Sequence, residues 1–291
     1  MRLIGAVSEG SGAVNEDGFG WLGSQDDVSA AWVFDGVTGI NGRNYLGEGT
    51  DARWLVWRAH VRLTDLAARD IPLLALLEEL VGGLIADFAA AAEGKDIPPN
   101  YDPPAACLIL AKRYKDGWQA LRLGDSCLLT RDGGGEHRMH AASPNNVLDH
   151  WLTREVAKRR AAGVLDIKAL LAEFAPQLKD GRSKRNQPGG YSILEASPAA
   201  LTMPDIIELG APAEMLLCTD GYYRAVDHYG LHDDAGLIDG SAGDVETVLA
   251  ALRAAERSDP DCSRYPRFKP ADDATAVMLV RQPSPHLHRS P

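Results

Sequence analysis

Several carboxylates of this chain lie directly beside its most apolar segments, although these segments are far apart in the sequence. Three of them share this position: Asp35 follows residues 29–34, Asp220 follows residues 215–219, and Asp272 comes just before residues 274–280. Apolar runs of this length are typical of buried strands, so each carboxylate lies at the edge of a core. A carboxylate removed from water must be paired or bound to a metal, and these motifs contain no matching set of Arg or Lys. The pattern therefore favours a fold that gathers acidic side chains around hard divalent cations.

The length and composition of the chain predict a sizeable core. Its 291 residues suit one large domain or two small ones, and 45% of them are apolar. Because strand patterns resume directly after the proline-rich loop 93–104, we expect a single domain over residues 1–281. Residues 282–291 contain three prolines and are predicted to form a disordered tail. The net charge of −11 argues against a nucleic acid or an anionic membrane as the partner.

The cysteines give a prediction about the cellular compartment. The four cysteines are widely spaced and form no Cys-x-x-Cys pair. Three of them lie in apolar runs, which favours small buried side chains in a reducing compartment. The sequence shows no signal segment and no apolar stretch of about 20 residues, so we expect a soluble, cytoplasmic protein.

The predicted strands occur in hairpin-like runs, and the predicted helices are grouped. Strands are predicted over residues 2–7, 18–23, 29–35, 106–114, 118–123, 127–131, 192–195, 205–209, 215–219 and 274–280. Helices are predicted over residues 51–68, 72–92, 146–162, 166–174 and 244–255. Residues 179–190 are predicted to form a mobile loop. Lys184 and Arg185 in this loop either contact a protein partner or, as we favour, keep the loop soluble. This order favours antiparallel sheets with helices packed outside them, rather than alternating βαβ units.

Asp-Gly pairs are common turn sequences, and the chain contains seven of them. Asp35 and Asp220 differ from the others because a strongly apolar run precedes each one. Carboxylates and backbone carbonyls select hard cations such as Mg²⁺ and Mn²⁺, and no Cys/His cluster in the sequence offers a zinc site. Two such cations about 3.5–4 Å apart can share a water, lower its pKa and align it for attack on phosphorus.

Five motifs occur in the order found in the metal-dependent type 2C protein Ser/Thr phosphatases. They are Asn15-Glu16-Asp17, Phe34-Asp35-Gly36-Val37-Thr38-Gly39, Gly124-Asp125-Ser126, Thr219-Asp220-Gly221 and Asp272-Asp273-Ala274-Thr275. Each motif is weak alone, but the ordered set extends over nearly the whole chain. The chain therefore resembles that family, in a compact, bacterial-like form. The resemblance implies an α+β fold, a four-layer αββα sandwich in which helices flank two antiparallel β-sheets.

The resemblance also implies a pair of Mn²⁺ or Mg²⁺ ions at one end of the sandwich, and a more weakly held third ion. The metal ligands it implies are Asp17, Asp35, the carbonyl of Gly36, Asp220, Asp272 and, with Asp220 at the third ion, Asp125. Asp35 would bridge both metals, and catalysis would depend on Asp35 and Asp220. Glu16 would orient metal-bound water.

The activity implied by the resemblance is hydrolysis of phosphoserine or phosphothreonine by a metal-bridging hydroxide. The partners implied are a phosphorylated protein and a Ser/Thr kinase in the same signalling pathway, with neither nucleic acid nor membrane. A variable flap near the substrate would fall within residues 143–191. Two alternatives stay open: a non-catalytic phosphatase-like regulatory module, and a phosphatase of a small phosphorylated metabolite.

Two positions depart from the family pattern. Gly12 stands where many members have an Arg that grips the substrate phosphate, and Val37 stands where some, chiefly eukaryotic, members have a His. Bacterial members often lack that His, so the missing Arg matters more. We hypothesise that another cation, Arg43 or Arg224, binds the phosphate. The missing Arg favours the regulatory module, whereas retention of every metal acid argues against it.

Overall fold

The computed structural model of the chain describes residues 1–140, 147–164 and 166–282. Within these ranges, two antiparallel sheets are formed by the strands β1 Arg2–Glu9, β2 Gly18–Ser24, β3 Asp27–Gly36, β4 Ala105–Tyr114, β5 Gly117–Leu123, β6 Cys127–Arg131, β7 His137–His140, β8 Leu194–Glu195, β9 Asp205–Gly210, β10 Glu214–Cys218 and β11 Ala274–Val280. One sheet has the order β1-β11-β10-β6-β7. The other has the order β2-β3-β4-β5-β9, with β8 paired to β4.

Helices cover the outer face of each sheet. Their bounds are α1 Asp51–Leu66, α2 Leu73–Ala92, α3 Val147–Ala161, α4 Ile167–Ser183, α5 Asp220–Asp227 and α6 Asp234–Arg257, with a 3₁₀ helix at Pro198–Leu201. One core lies between α1, α2 and the sheet of β3 and β4, and a second lies between α5, α6 and the other sheet. A third core joins the two sheets face to face. The predicted α+β fold, a four-layer αββα sandwich, is therefore confirmed.

The alternation of side chains along β3 determines where its last carboxylate lies. Trp32 and Phe34 pack under the helices, whereas Ala31 and Val33 pack between the two sheets. Successive side chains of a strand point to opposite faces, so Asp35 continues the face that meets the second sheet. It does so at the end of β3, where the apolar layer between the sheets stops. A carboxylate thus enters the edge of the sandwich interior.

Two predicted helices differ from those observed. α6 begins at Asp234, and its backbone leaves the helical conformation at Asp244 (φ −168°, ψ 113°), the predicted first residue. The Asp244 carboxylate accepts the Glu246 N–H at 3.0 Å, as a helix-capping residue does. α4 continues past its predicted end at Phe174 to Ser183, although Pro176 lies inside it. The prediction of a mobile loop is therefore wrong for residues 179–183.

The sequence predicts neither β7 nor α5. β7 is short and polar, so it carries no apolar alternation. Pairing with β6, a hydrogen bond from Arg122 to the His140 carbonyl and packing of Met139 against the core under α6 hold it in the sheet. α5 has only eight residues, and it is stabilised by burial of Tyr222 and Ala225 rather than by its length. Both elements depend on tertiary contacts that a local pattern does not reveal.

Two predicted segments fall partly or wholly outside the described residues. The tail predicted over 282–291 lies outside them except for its first residue, and so do residues 143–146 at the start of the predicted flap. The described part of the flap contains α3 and α4, which share a small core of Leu152, Val156, Leu170 and Phe174. Among the described helices, none combines the length and the apolar character that crossing a membrane requires.

Candidate metal centre

Five carboxylates from separate parts of the chain converge at one edge of the sandwich. They are Asp17 before β2, Asp35 at the end of β3, Asp125 between β5 and β6, Asp220 at the start of α5 and Asp272 before β11. Burial raises the pKa of Asp35 well above its usual range, and the negative charges of the other four raise it further. The structure thus brings together all five acids that the sequence predicts as ligands.

Gly36 lets the chain segment that carries Asp17 approach the end of β3. A Cβ atom at position 36 would lie 2.5 Å from the Glu16 carbonyl oxygen, so only glycine fits here. The pairing of β3 with β4 ends at the same point, where Gly36 is opposite Ala106. Close packing of backbone on backbone therefore places Asp17 and Asp35 side by side.

Asp17 lies in the interior and is held by hydroxyl groups. It is 2% exposed, and its Oδ2 accepts the Thr219 hydroxyl at 3.0 Å. Burial raises the pKa of Asp17 to about 8, hydrogen bonds from Thr275 and Thr219 oppose that change, and the charges of Asp273 and Asp220 add to it. Thr219 directly follows β10, and Thr275 is the second residue of β11. The Thr275 N–H donates a 3.0 Å hydrogen bond to the Thr219 hydroxyl.

Asp272 is the acid that two cations contact. A guanidinium nitrogen of Arg224 lies 2.6 Å from Asp272 Oδ2 and 4.0 Å from Asp220 Oδ2, and Lys269 pairs with Asp272 Oδ1. Burial opposes the charge of Arg224, but Asp272 and Asp220 outweigh burial and raise the pKa of Arg224. Arg224 follows Asp220 by one turn of α5, so the helix holds the acid and the cation on the same face.

Arg43, the other predicted phosphate ligand, has different contacts. Its guanidinium lies 4.5 Å from the centre of the Tyr45 ring and donates to the Asp96 carbonyl at 3.2 Å. Within the described ranges, its ion-pair partners do not include any of the five carboxylates. The structure thus brings Arg224, but not Arg43, into contact with the acids.

Asp273 holds the loop that carries the first motif. Its Oδ1 accepts the Ser11 N–H at 2.7 Å and the Ser11 hydroxyl at 2.9 Å, and its Oδ2 accepts the Glu16 N–H at 2.7 Å. Glu16 in turn accepts the Thr38 hydroxyl at 2.5 Å through Oε2. Asp273 therefore ties residues 11–16 to the start of β11.

The two positions that depart from the family pattern are both visible. Gly12 is exposed, and an added Cβ there would meet no atom of the described structure within 4 Å. Val37 packs against a small buried cluster of Ala105, Cys107 and Ile193. Neither position carries a group that could bind phosphate or transfer a proton.

The end of α4 is fastened beside the motif that contains Asp35. Arg182 and Arg185 both pair with Asp102, Arg182 at 2.7 Å, and Arg182 also donates to the Thr38 carbonyl at 2.6 Å. The Arg185 side chain is 10% exposed, so the prediction that it keeps a loop soluble is wrong for this residue. Lys184 is exposed and pairs with Asp180 at 2.7 Å. The two partly buried pairs with Asp102, rather than the exposed pair, hold this segment against the body of the protein.

Sequence reasoning missed three residues of the centre, namely Thr219, Thr275 and Cys107. The two threonines follow from the alternation of β10 and β11, because both continue the face between the sheets. Cys107 is directly opposite Asp35 in the β3–β4 pairing. A register between strands more than 70 residues apart cannot be read from local patterns, so no sequence pattern pointed to Cys107.

The residues present suit hard divalent cations. Over the described ranges, neither Asp17 nor Asp35 forms an ion pair with Arg or Lys, although burial penalises the charge of both. Glu16 Oε1 is also buried, and it has no hydrogen-bond partner among the described residues. Five carboxylates and a backbone carbonyl are the donor set that Mg²⁺ and Mn²⁺ prefer.

Comparison with known proteins identifies the family. Residues 4–256 match the family described as protein phosphatase 2C, so the chain belongs to that family of metal-dependent Ser/Thr phosphatases. The resemblance predicted from the five motifs is confirmed. Comparison with curated proteins found no match.

Solved structures of bacterial phosphatases share the fold. The serine/threonine phosphatase PstP/Ppp of Mycobacterium tuberculosis is 17% identical, with 96% of this chain and 98% of that chain covered and a TM-score of 0.55. The phosphatase Stp1 of Staphylococcus aureus is 12% identical, with 96% and 94% covered and a TM-score of 0.53. A catalytic domain of PstP in complex with two manganese ions is 19% identical, with 94% and 95% covered and a TM-score of 0.50. The coverage and the TM-scores establish a shared fold.

Proposed function

We propose that this chain is a metal-dependent phosphatase that hydrolyses phosphoserine or phosphothreonine in proteins. One observation carries the proposal: four carboxylates surround a fifth, Asp35, at the edge of the sandwich, where burial and repulsion by the other four disfavour its charge. Such a cluster of carboxylates destabilises the folded state unless bound cations compensate its negative charge. The manganese complex of the structurally similar PstP domain supports Mn²⁺ or Mg²⁺ as those cations.

The ligands would be Asp17, Asp35, the Gly36 carbonyl, Asp220 and Asp272, with Asp125 and Asp220 holding a third ion. When bound, the ions supply Lewis acidity that lowers the pKa of water and offsets charge on the phosphoryl group. Asp35, at the centre of the cluster, would contact both ions of a pair. Glu16, which has one buried and unpartnered oxygen among the described residues, would orient water.

Arg224 is our choice for the phosphate-binding cation in place of the missing Arg. It lies 2.6 Å from Asp272, whose charge Lys269 also offsets. Because Lys269 stays on Asp272, Arg224 can turn a guanidinium nitrogen towards a phosphate without leaving that acid uncompensated. A planar guanidinium donates two parallel hydrogen bonds to phosphate oxygens, which a lysine cannot do.

The family and the fixed segment beside the centre support a protein substrate. Type 2C phosphatases act on phosphorylated proteins, and we infer that a Ser/Thr kinase acts on the same substrate. The end of α4, fastened to Asp102 and Thr38, borders the centre and would meet the chain on either side of a phosphoserine. A small phosphorylated metabolite, the alternative substrate, would have no flanking chain to contact the end of α4.

The test compares two substrates under metal control. We expect hydrolysis of a phosphothreonine peptide and of p-nitrophenyl phosphate with Mn²⁺, loss of both in EDTA, and loss of both in Asp35→Asn. Turnover that survives EDTA would refute the metal mechanism, and no turnover on either substrate would favour a regulatory module. Activity on small phosphates alone would favour a metabolite phosphatase.

A further inference from the structure

We propose that Cys107 is a sulfur ligand of this centre, and that Asp35, Cys107 and Asp125 form a position for a thiophilic divalent cation such as Zn²⁺ or Cd²⁺. The inference rests on the proposed function, because it shares two acids with the proposed metal ligands. It goes beyond that function in two ways. It assigns a different class of cation to one position, and it adds a metal ligand, Cys107, that the five motifs do not contain.

Three donor atoms define the position. One ligand atom from each of Asp35, Cys107 and Asp125 lies within 4.8 Å of the other two. The Cys107 Sγ is 3.1 Å from Asp125 Oδ1. Zinc binds sulfur at about 2.3 Å and oxygen at about 2.0–2.2 Å, so two ligands of one tetrahedral ion are about 3.3–3.7 Å apart. Small side-chain rotations therefore suffice to place one ion among the three.

The backbone fixes the position of the sulfur. Cys107 is paired with Asp35 across β3 and β4, within a continuous antiparallel register that runs from Ala30 to Gly36. The side chain is buried, 6% exposed, and as the cross-strand partner of Asp35 it lies on the same face of the sheet as that carboxylate. The sheet itself therefore holds a thiol beside Asp35.

The turn that carries Asp125 is shaped to admit this thiol. Gly124 has a φ of +87°, and a Cβ atom there would lie 2.4 Å from Cys107 Sγ. Any other residue would force the turn and the sulfur apart, whatever its backbone preference. Gly124 thus permits the contact between Cys107 and Asp125.

The mixed donor set changes which cation is favoured. An all-oxygen set suits Mg²⁺ and Mn²⁺, whereas a thiolate raises affinity for Zn²⁺ and Cd²⁺ far more than for Mg²⁺. On binding, the Cys107 thiol loses its proton to buffer and the sulfur lone pair forms the bond to the metal, with no change in oxidation state. We therefore expect a thiophilic ion to bind here in the presence of a large excess of Mg²⁺.

Cadmium absorption tests the proposal without turnover. We would titrate the metal-free full chain with Cd²⁺ and follow the ultraviolet charge-transfer band of a cadmium–thiolate bond. The band should appear at one equivalent in the wild type and in Cys218→Ser, and it should be absent in Cys107→Ser. Cys218 is the matched control, because it is a buried strand cysteine that packs under α5 and α6. In Asp125→Asn the dissociation constant for Cd²⁺ should rise at least about tenfold.

Each outcome is decisive. A band that persists in Cys107→Ser, or that is absent from the wild type, would overturn the assignment. If Cys107→Ser does not fold, as judged by circular dichroism without metal, cadmium NMR of the wild type decides, since a sulfur ligand shifts the resonance far from that of an all-oxygen site. The band does not depend on phosphatase activity. An inactive protein with the band would refute only the proposed function, and an active protein without it would refute only the sulfur ligand.

Discussion

Asp17 and Asp35 are the acids whose surroundings differ most from water. Asp17 is buried and Asp35 is half-buried at the edge of the sandwich, and other carboxylates rather than cations act on both within the described structure. Their raised pKa values have opposite consequences for the metal-free protein and for metal binding. A proton stabilises the metal-free site, and it must leave before a cation binds.

The metal-free protein should lose stability as the pH rises. The pKa of Asp17 is about 8 in the folded protein and 3.8 in the absence of folding, so the folded state holds the extra proton between these values. The free energy of unfolding should therefore fall between about pH 5 and pH 8, by at most about 1.4 kcal/mol per pH unit for this group. Urea unfolding in EDTA measures the slope.

The matched variants for the pH experiment are Asp17→Asn and Asp180→Asn. The first removes the titrating group, so its free energy of unfolding should depend less on pH than that of the wild type. The second alters an exposed acid of α4 and should keep the wild-type slope. Equal slopes in Asp17→Asn and the wild type would contradict the prediction.

The choice of Arg224 over Arg43 gives a kinetic prediction. Arg224→Ala should raise KM for a phosphothreonine peptide by about three- to tenfold, because it removes a charged donor to the phosphate. Arg43→Ala is the control and should leave KM unchanged, since Arg43 contacts Tyr45 and the Asp96 carbonyl. Steady-state kinetics with saturating Mn²⁺ measures both. An unchanged KM in Arg224→Ala would leave the phosphate ligand unassigned.

At the scale of the element, the end of α4 is held by partly buried ion pairs. Arg182 and Arg185 converge on Asp102, which lies in the loop before β4. Earlier in α4, Glu173 pairs with Arg159 of α3 at 2.6 Å, and Phe174 belongs to the small core with α3. The two pairs with Asp102 hold the end of α4 that follows Pro176.

Removing Asp102 should release this segment. Asp102→Ala leaves two guanidinium groups without their carboxylate, so we expect faster hydrogen exchange over residues 176–193 and a loss of about 1–3 kcal/mol in the free energy of unfolding. Asp180→Ala, which removes the exposed pair with Lys184, should change neither. Hydrogen–deuterium exchange followed by mass spectrometry measures the difference. Unchanged exchange in Asp102→Ala would show that other contacts hold the segment.

Elements with a strong apolar pattern could be predicted from the sequence, and those held by tertiary contacts could not. α2 and β3 follow from their own side chains, and the acids at the strand ends follow from the motifs. α5 and β7 are too short or too polar to show a pattern. Cys107 joins the centre through its pairing with Asp35 on a distant strand, which only the folded structure reveals.

At the scale of the whole molecule, the metal centre should control stability. Cations that bind the folded state alone add about 2.7 kcal/mol to the free energy of unfolding at a concentration one hundred times their dissociation constant. Mn²⁺ should therefore raise the Tm of the wild type by several degrees, and EDTA should reverse the rise. Differential scanning fluorimetry measures both.

Asp35→Asn separates two effects on the Tm: stabilisation by bound metal and destabilisation by repulsion among the carboxylates. Without metal, the variant should be at least as stable as the wild type, because a neutral amide relieves the repulsion at the centre of the cluster. With Mn²⁺ it should show little rise in Tm. A rise as large as in the wild type would mean that the ions bind elsewhere.

The sheet that contains β11 has a consequence for synthesis of the chain. β11 lies between β1 and β10, although it is the last of the described strands to be made. While the nascent chain emerges from the ribosome, β1 and β10 each wait with an open edge that only β11 can close. The cluster of five carboxylates is thus completed only when β11 joins the sheet, and the edges of β1 and β10 that face it stay unpaired until that step.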